Sequence, residues 1–554
     1  MKKDSFSSPI FKFLSKNDSG MNSGHQAGIL IPVGLRGYFP KLDATTSSPV
    51  PSISITLEIE RGRAATKIQT RYQKQTWNMT RSGETRITGD LEVLRGLSKP
   101  DDILMMQRSR DNPLLYRASI LHQGTKEHQA VANYAGKSRW GVFPKFLDGM
   151  LSSNRRMIGR LDRVESTIVG SCWAFEFDAI DADLSPEELD SALNDPEVTA
   201  PFALVRIISD RSRLEGLLGS AIEEGMWIEL ALAPGKPGEF PPGAVAQLTP
   251  RGYLEQGRGI VHGMRIVADR DERPRDFPGI GAAVPQRRQR AVATVLKCGI
   301  PVRSVTDATA VKRALRPLLT KAAAVVVRDV GQASFNTVIS SDGQQLVHFD
   351  AGWPISYNGR TAPKELPDAG GVPVVLSHWD WDHLHAYHRI PALASVYWIV
   401  PHQPIGPGAT KMANALHARK KLMTYRGPNI SVGQSSLISC TGSSGMNDTG
   451  FALDLSLANG KRALLVGDAS YIHLGASVIA TQYDYLVVTH HGSDFVGTVP
   501  LTKGSAAKCA ISVGQKNVYG HPRSSALLLH TSNGWPDVRT SKNGSIARGP
   551  RTLG

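Results

Sequence analysis

The stretch Ser377-His378-Trp379-Asp380-Trp381-Asp382-His383 decides the fold. It sets four groups able to hold a metal ion, His378, Asp380, Asp382 and His383, within six residues. An apolar run at 372–376 precedes it and reads as a buried strand. Where extended chain gives way to a loop, alternate side chains share a face. His378, Asp380 and Asp382 can then point the same way, and His383 turns inward as a helix starts. Imidazole and carboxylate together suit Zn²⁺, Mn²⁺ or Fe²⁺.

The same grammar repeats on both sides. Apolar runs at 322–327, 345–349, 462–466, 485–488 and 510–513 release, at or beyond their ends, Asp329, Asp350, Asp468, the pair His490-His491, and His521. One such residue after a strand is usually a cap or a turn. A succession of them implies that several strands deliver chemistry to one sheet edge. Asp468 could bridge two ions, with His490 or His491 completing the set. Two ions roughly 3.5–4 Å apart would acidify a bridging water and clamp an in-line displacement at phosphorus. His521, in Gly520-His521-Pro522, is the candidate to touch a phosphate oxygen or protonate a leaving group. Lys516 and Arg523 stand near it and could neutralise phosphate. Trp379 and Trp381 read as packing against a helix rather than as stacking platforms. His385, His388 and His402 read as surface residues or as supports behind the ligands.

In their order, these motifs resemble the metallo-β-lactamase superfamily. They are Asp329-Val330-Gly331-Gln332, Asp350-Ala351-Gly352, His378-x-Asp380-x-Asp382-His383, Gly467-Asp468, His490-His491-Gly492-Ser493 and Tyr519-Gly520-His521-Pro522. Within the superfamily they are most similar to the metallo-hydrolase domain of the ComEC family of DNA-uptake proteins. The resemblance covers about 322–530 and implies an α/β fold, an αββα sandwich with metal at one edge. It implies metal ligands His378, Asp380, Asp382, His383, Asp468 and one of His490 and His491, with Asp382 and His521 as the catalytic pair. It also implies Zn²⁺ or Mn²⁺, one or two ions per site. Asp380 stands where most of the superfamily has His, and a harder ligand favours Mn²⁺. Asn447-Asp448-Thr449-Gly450 stands where a ligand His is usual. Ala333-Ser334 and His385-Ala386 replace Gly-Asp and Gly-Gly, and the family's membrane channel has no counterpart.

The 554 residues suggest about three or four domains. With 41% apolar and 20% charged residues, a wholly disordered or fibrous chain is excluded. No apolar run reaches 18 residues, so no membrane partner is expected, and the first 20 residues lack a secretory apolar core. Cys172, Cys298, Cys440 and Cys509 are far apart, which fits a reducing cytoplasm rather than a disulfide framework. The net charge is +15, and 61–160 holds 19 Lys and Arg against 8 Asp and Glu, which points to nucleic acid as partner.

The expected organisation is a disordered N-terminus at 1–28, then a basic β-rich module at 29–162 offered to nucleic acid. An α/β region of unassigned role follows at 163–267, then a charged linker and basic helix at 268–320, then the hydrolase domain at 321–554. Residues 52–59 alternate as a strand, 102–106 and 114–121 flank a turn as a hairpin, and Ser185-Pro186-x-Glu188 starts a helix. The expected function is a metal-dependent phosphodiesterase or nuclease. The alternative is hydrolysis of a small ester, thioester, lactone or phosphocholine-type substrate, and a third reading is a binding protein with a degenerate site.

Overall fold

Alternation builds the sheet of the N-terminal part. Along Ser52–Arg61, Ile55, Leu57 and Ile59 alternate with polar residues and are all buried. The computed structural model describes residues 9–21, 28–40, 42, 51–61, 64–75, 84–109, 112–135, 139–142, 155–167, 172–233, 241–268, 305–443 and 445–554. They fall into two compact units, Met1–Ser152 and Ser153–Gly554.

The first unit carries an eight-stranded sheet. Its spatial order is Ile29–Ile31, Glu84–Gly89, Ala64–Gln75, Ser52–Arg61, Leu115–Leu121, Ile103–Arg108, Ile10–Phe13, Trp140–Val142. The expected hairpin is present, with Met106 opposite Ala118. The expected disorder of 1–28 is corrected for part of that stretch. Ile10–Phe13 is a strand between Ile103–Arg108 and Trp140–Val142, with Ile10 and Phe11 buried. A Ser- and Asn-rich average hid a short apolar run that the sheet takes in as an inner strand.

The second unit begins with a closed barrel. Its strands run in the order Cys172–Asp181, Phe202–Asp210, Pro242–Thr249, Gly252–Ala268, Trp227–Ala233, Arg155–Ser166. Two expectations are corrected here. The expected boundary at 162/163 falls inside Arg155–Ser166, so this strand belongs to the second unit, and Arg155, Arg156 and Arg160 leave the basic module. The alternating α/β reading of 163–267 also fails. Every barrel pairing is antiparallel, which needs no helical crossover. The helices Pro186–Asn194 and Arg211–Leu218 are inserts between strands. The first starts as its sequence prescribes. Glu188 N–H donates to Ser185 Oγ at 3.1 Å and Ser185 N–H to Glu188 Oε2 at 2.9 Å.

The expected linker text and Arg287, Arg288 and Arg290 lie outside the described residues. The basic helix, Ala308–Leu319, is not part of a linker. It buries Val311, Leu315 and Leu319 in the core beyond it and exposes Lys312, Arg313 and Arg316.

Two mixed sheets follow. One runs Leu422–Tyr425, Trp398–Pro401, Val374–Val375, Gln345–Phe349, Asn336–Ile339, Ala324–Val327, Arg551–Leu553. The other runs Ile430–Val432, Ser435–Ser439, Phe451–Ser456, Arg462–Leu465, Tyr485–Val487, Lys508–Ala510. Val327, Val347 and Phe349 of the first share a core with Leu453, Leu465 and Val487 of the second. A separate core joins Trp379, Trp381, Met412 and Leu416 to barrel residues Trp227, Leu248 and Tyr253. The parallel strands Gln345–Phe349, Val374–Val375, Arg462–Leu465 and Tyr485–Val487 therefore open toward one edge, beneath the barrel. Among the described residues, no helix is long and apolar enough to cross a membrane.

Candidate metal centre

The centre is built from the supports inward. Asp350 ends its strand in the left-handed region, with φ of 66°. Its Oδ1 accepts Ser377 N–H at 2.7 Å, and its Oδ2 accepts Ser334 Oγ–H at 3.0 Å and His383 Nδ1–H at 2.8 Å. Gly352 closes this turn against the Asp382-His383 segment. A Cβ there would fall 1.8 Å from the Asp382 carbonyl oxygen, so no larger residue fits. His491 donates Nδ1–H to the Ser512 carbonyl at 2.7 Å. Both imidazoles are thus fixed in one tautomer, with Nε2 turned to the centre as a ligand must be.

The ligand atoms then converge. His383 Nε2 lies 3.0 Å from Asp468 Oδ1 and 3.8 Å from Asp382 Oδ1. His491 Nε2 lies 3.4 Å from Asp382 Oδ2 and 3.9 Å from Asp468 Oδ1. A tetrahedral ion with bonds of roughly 2.0–2.1 Å holds its ligand atoms about 3.3 Å apart, so these spacings fit one ion with small adjustment. His378 Nε2 is 4.0 Å from Asp468 Oδ2, and its ring lies 4.2 Å from that of His383. His378, His383 and Asp468 form one candidate ligand group, and Asp382, His383 and His491 another. All five are buried. The Nε2 atoms of His378, His383 and His491 and Asp468 Oδ2 have no hydrogen-bond partner among the described residues. Buried polar atoms are normally satisfied, and orphans converging on one point fit a cation.

The electrostatics agree. Burial would lower His383, but Asp468 and Asp350 outweigh it and hold the imidazole well above its ordinary range. Burial pushes Asp380 up to about 7. In Asp382 burial is outweighed by Arg163, His491 and His383, which keep the carboxyl well below the usual range. Negative charge is in excess here, and the site draws cations or protons to it.

Of the two neighbouring histidines, His491 joins Asp382 and His383. His490 Nε2 faces Glu165 Oε2 at 3.2 Å and Asp468 Oδ2 at 3.4 Å. Those two carboxylates overcome burial and raise it to about 9. Both histidines have positive φ, 47° and 55°, and this turn sends successive rings to two sides of one cluster. His521 is fully buried at its side chain, with Nε2 donating to Glu165 Oε1 at 2.7 Å and Nδ1 3.3 Å from Gln332 Nε2.

Other expected residues go elsewhere. Asp329 does not converge. It pairs with Arg548, whose Nη2 donates to Asp329 Oδ1 at 3.0 Å. Trp379 and Trp381 are buried packing residues, the second 4.6 Å from the Tyr253 ring. His385 is buried rather than at the surface and accepts Tyr253 N–H on Nε2 at 2.8 Å, joining barrel to helix. Lys516 is exposed. Arg523 Nη2 donates to the Ser166 carbonyl at 2.8 Å and to Ser166 Oγ at 2.7 Å, so it anchors a barrel strand.

The barrel's own contribution was missed by sequence reasoning. Arg163 and Glu165 alternate along Arg155–Ser166 and both reach the centre. Arg163 Nη2 stands 2.6 Å from Asp380 Oδ2 and 3.0 Å from Asp382 Oδ1. Glu165 also accepts Ser493 Oγ–H at 2.9 Å. Arg206 donates Nη2–H to Tyr519 Oη at 2.9 Å and pairs with Glu176. A narrow polar cleft beside Asp380 is lined by Arg163, Arg206, Gln332, Asn358 and Tyr519. The one available signal was the density of charge, Arg160, Asp162, Arg163 and Glu165, within one strand. No known protein-family model matches this chain, and no curated protein is significantly similar to it.

Proposed function

We propose that this chain is a metal-dependent hydrolase with the αββα sandwich of the metallo-β-lactamase superfamily, acting on phosphodiester bonds of nucleic acid. The observation that carries the reading is the convergence of two tautomer-locked imidazoles with Asp382 and Asp468 at spacings suited to one ion. Bound Zn²⁺ or Mn²⁺ would supply an acidified water and charge stabilisation at phosphorus. The chain's own part is to hold that chemistry in place. Asp350 and the Ser512 carbonyl orient the imidazoles, and Arg163 keeps Asp380 and Asp382 in fixed positions. The Glu165–His521 pair can hold a proton for the leaving oxygen, with Gln332 beside His521 Nδ1 favouring the Nε2–H tautomer. The basic residues of 61–152 serve the phosphate backbone. The free cysteines Cys172, Cys440 and Cys509 are consistent with a cytoplasmic setting.

The burial of His378, Asp380, Asp382, His383 and Asp468 favours a second reading, hydrolysis of a small phosphoester or carboxylic ester able to enter a closed cleft. One assay separates the two. The purified chain, with Zn²⁺, Mn²⁺ or Mg²⁺, is offered single- and double-stranded DNA, RNA and bis(p-nitrophenyl) phosphate, beside Asp382→Ala. Nucleic acid cleavage that weakens steeply with salt and vanishes in the variant is expected. Turnover of the small diester alone, insensitive to salt, moves the assignment to the second reading. No metal-dependent cleavage of any substrate refutes both.

A further inference from the structure

Arg163 reaches the acid cluster across 219 residues of sequence from Asp382. Its Nη2 contacts three carboxylates at once: Asp380 Oδ2 at 2.6 Å, Asp382 Oδ1 at 3.0 Å and Asp468 Oδ2 at 3.5 Å. Its Nη1 meets Asp382 Oδ2 at 3.1 Å, completing a fork on that carboxylate. The side chain is only 4% exposed. A single nitrogen shared by three carboxylates resembles the surroundings of an ion more than those of a surface pair.

The strand is shaped to deliver it. Arg163 pairs with Glu176 and Leu161 with Phe177, so Asp162 bulges out of register between them. Such a bulge re-aims the next side chain. Val164 N–H is held by Glu224 at 2.8 Å, and Arg523 fixes Ser166. The guanidinium carbon lies 5.5 Å from the Tyr519 ring centroid, and Arg206 stands at the same distance from that ring.

The two candidate ligand groups share His383. Its Nδ1 is committed to Asp350, so only Nε2 remains, and one imidazole nitrogen binds one ion. The two groups therefore cannot both be completed through His383. Asp380 belongs to neither and faces the arginine.

We propose that the Arg163 guanidinium fills the place of a second cation, so that the centre holds one metal ion, and that Asp380 serves the arginine rather than the metal. This rests on the metal-centre reading above and departs from its sequence-derived ligand set at Asp380.

The test is metal stoichiometry and affinity of the full chain, stripped with a chelator and titrated with Zn²⁺ and with Mn²⁺ against a chromophoric competitor. Folding of every variant is followed by circular dichroism. Wild type binds one equivalent. Arg163→Met, with the guanidinium gone, gains a second and weaker equivalent. Asp380→Asn still binds one, with affinity within about threefold of wild type, whereas loss of a true ligand or its support costs about tenfold or more. Should Arg163→Met fail to fold, Asp380→Asn decides. Two equivalents in wild type, one in a folded Arg163→Met, or a tenfold weaker Asp380→Asn overturns the arginine's role alone. Zero equivalents in wild type overturns the metal-centre reading and this inference with it.

Discussion

Replacing Asp350 with Asn is the sharpest probe of the centre, because it alters no ligand and hardly any volume. Asp350 is fully buried, and its two oxygens accept three hydrogens, from Ser377 N, Ser334 Oγ and His383 Nδ1. Asparagine offers one oxygen. With its Nδ2 toward His383, two donors face each other, and the imidazole relieves this by moving its proton to Nε2, which then cannot bind metal. With its Nδ2 toward Ser377, the imidazole keeps its tautomer but loses its carboxylate, and one buried N–H is left unsatisfied at about 1–3 kcal/mol. Asparagine also tolerates the left-handed backbone at this position, so the turn survives. Losing such a support typically weakens metal binding about 10–100-fold. Competition with a chromophoric chelator measures this, and thermal melting shows that the fold remains. A metal affinity within twofold of wild type in a folded Asp350→Asn protein would refute the claim that Asp350 sets the His383 tautomer.

Three further outcomes follow from the same geometry. His521→Ala should retain its metal equivalent yet lose about 10²–10⁴-fold in diester cleavage, the usual worth of a placed proton donor. A rate within threefold of wild type removes His521 from the reaction. Gly408→Ala puts a methyl group 2.0 Å from Tyr253 Oη and 2.8 Å from Asp178 Oδ1, where barrel and helix Pro407–Ala418 meet. Overpacking of this kind costs about 1–3 kcal/mol, and an unchanged melting temperature would show that this seam yields freely. Burial pushes His348 down to about 4, where it stays neutral between Thr337 Oγ1 and the Ala369 carbonyl. The unfolded chain takes up the proton near pH 6.5, so this stability is full above 6.5 and is lost as pH falls toward 4. The difference is about 3 kcal/mol at 1.36 kcal/mol per unit. Urea midpoints at pH 7 and pH 4.5 should diverge more in wild type than in His348→Gln, and equal divergence refutes the assignment.

Much of the centre could be read from the chain because its parts obey local rules. An apolar run followed by His or Asp announces a strand and its cargo, and five of the six runs put that cargo at or beside the centre. Asp329 breaks the pattern because its partner, Arg548, lies 219 residues away and nothing near Asp329 announces it. The capping box at Ser185 and the hairpin at 103–121 were equally local. The barrel was not. Its strands are antiparallel neighbours out of chain order, and strong helix starts in the inserts imitated an α/β rhythm. Arg163 and Glu165 looked like ordinary basic and acidic text until the fold buried them. The role of Asp350 was hidden differently: its motif was plain, but support of a ligand leaves no spacing of its own.

The barrel's reach into the centre also sets an order of events during synthesis. Strand Arg155–Ser166 leaves the ribosome long before its charges can be matched. Glu165 meets His521 across 356 residues, and Arg163 meets Asp382 across 219. At roughly 5–20 residues per second, those partners arrive tens of seconds later at the slow end. Until then the nascent barrel must keep Arg163 and Glu165 in water. The long-range contacts of the candidate metal centre can therefore form only after the two mixed sheets have been made, and their late docking against the barrel is the step most exposed to misassembly.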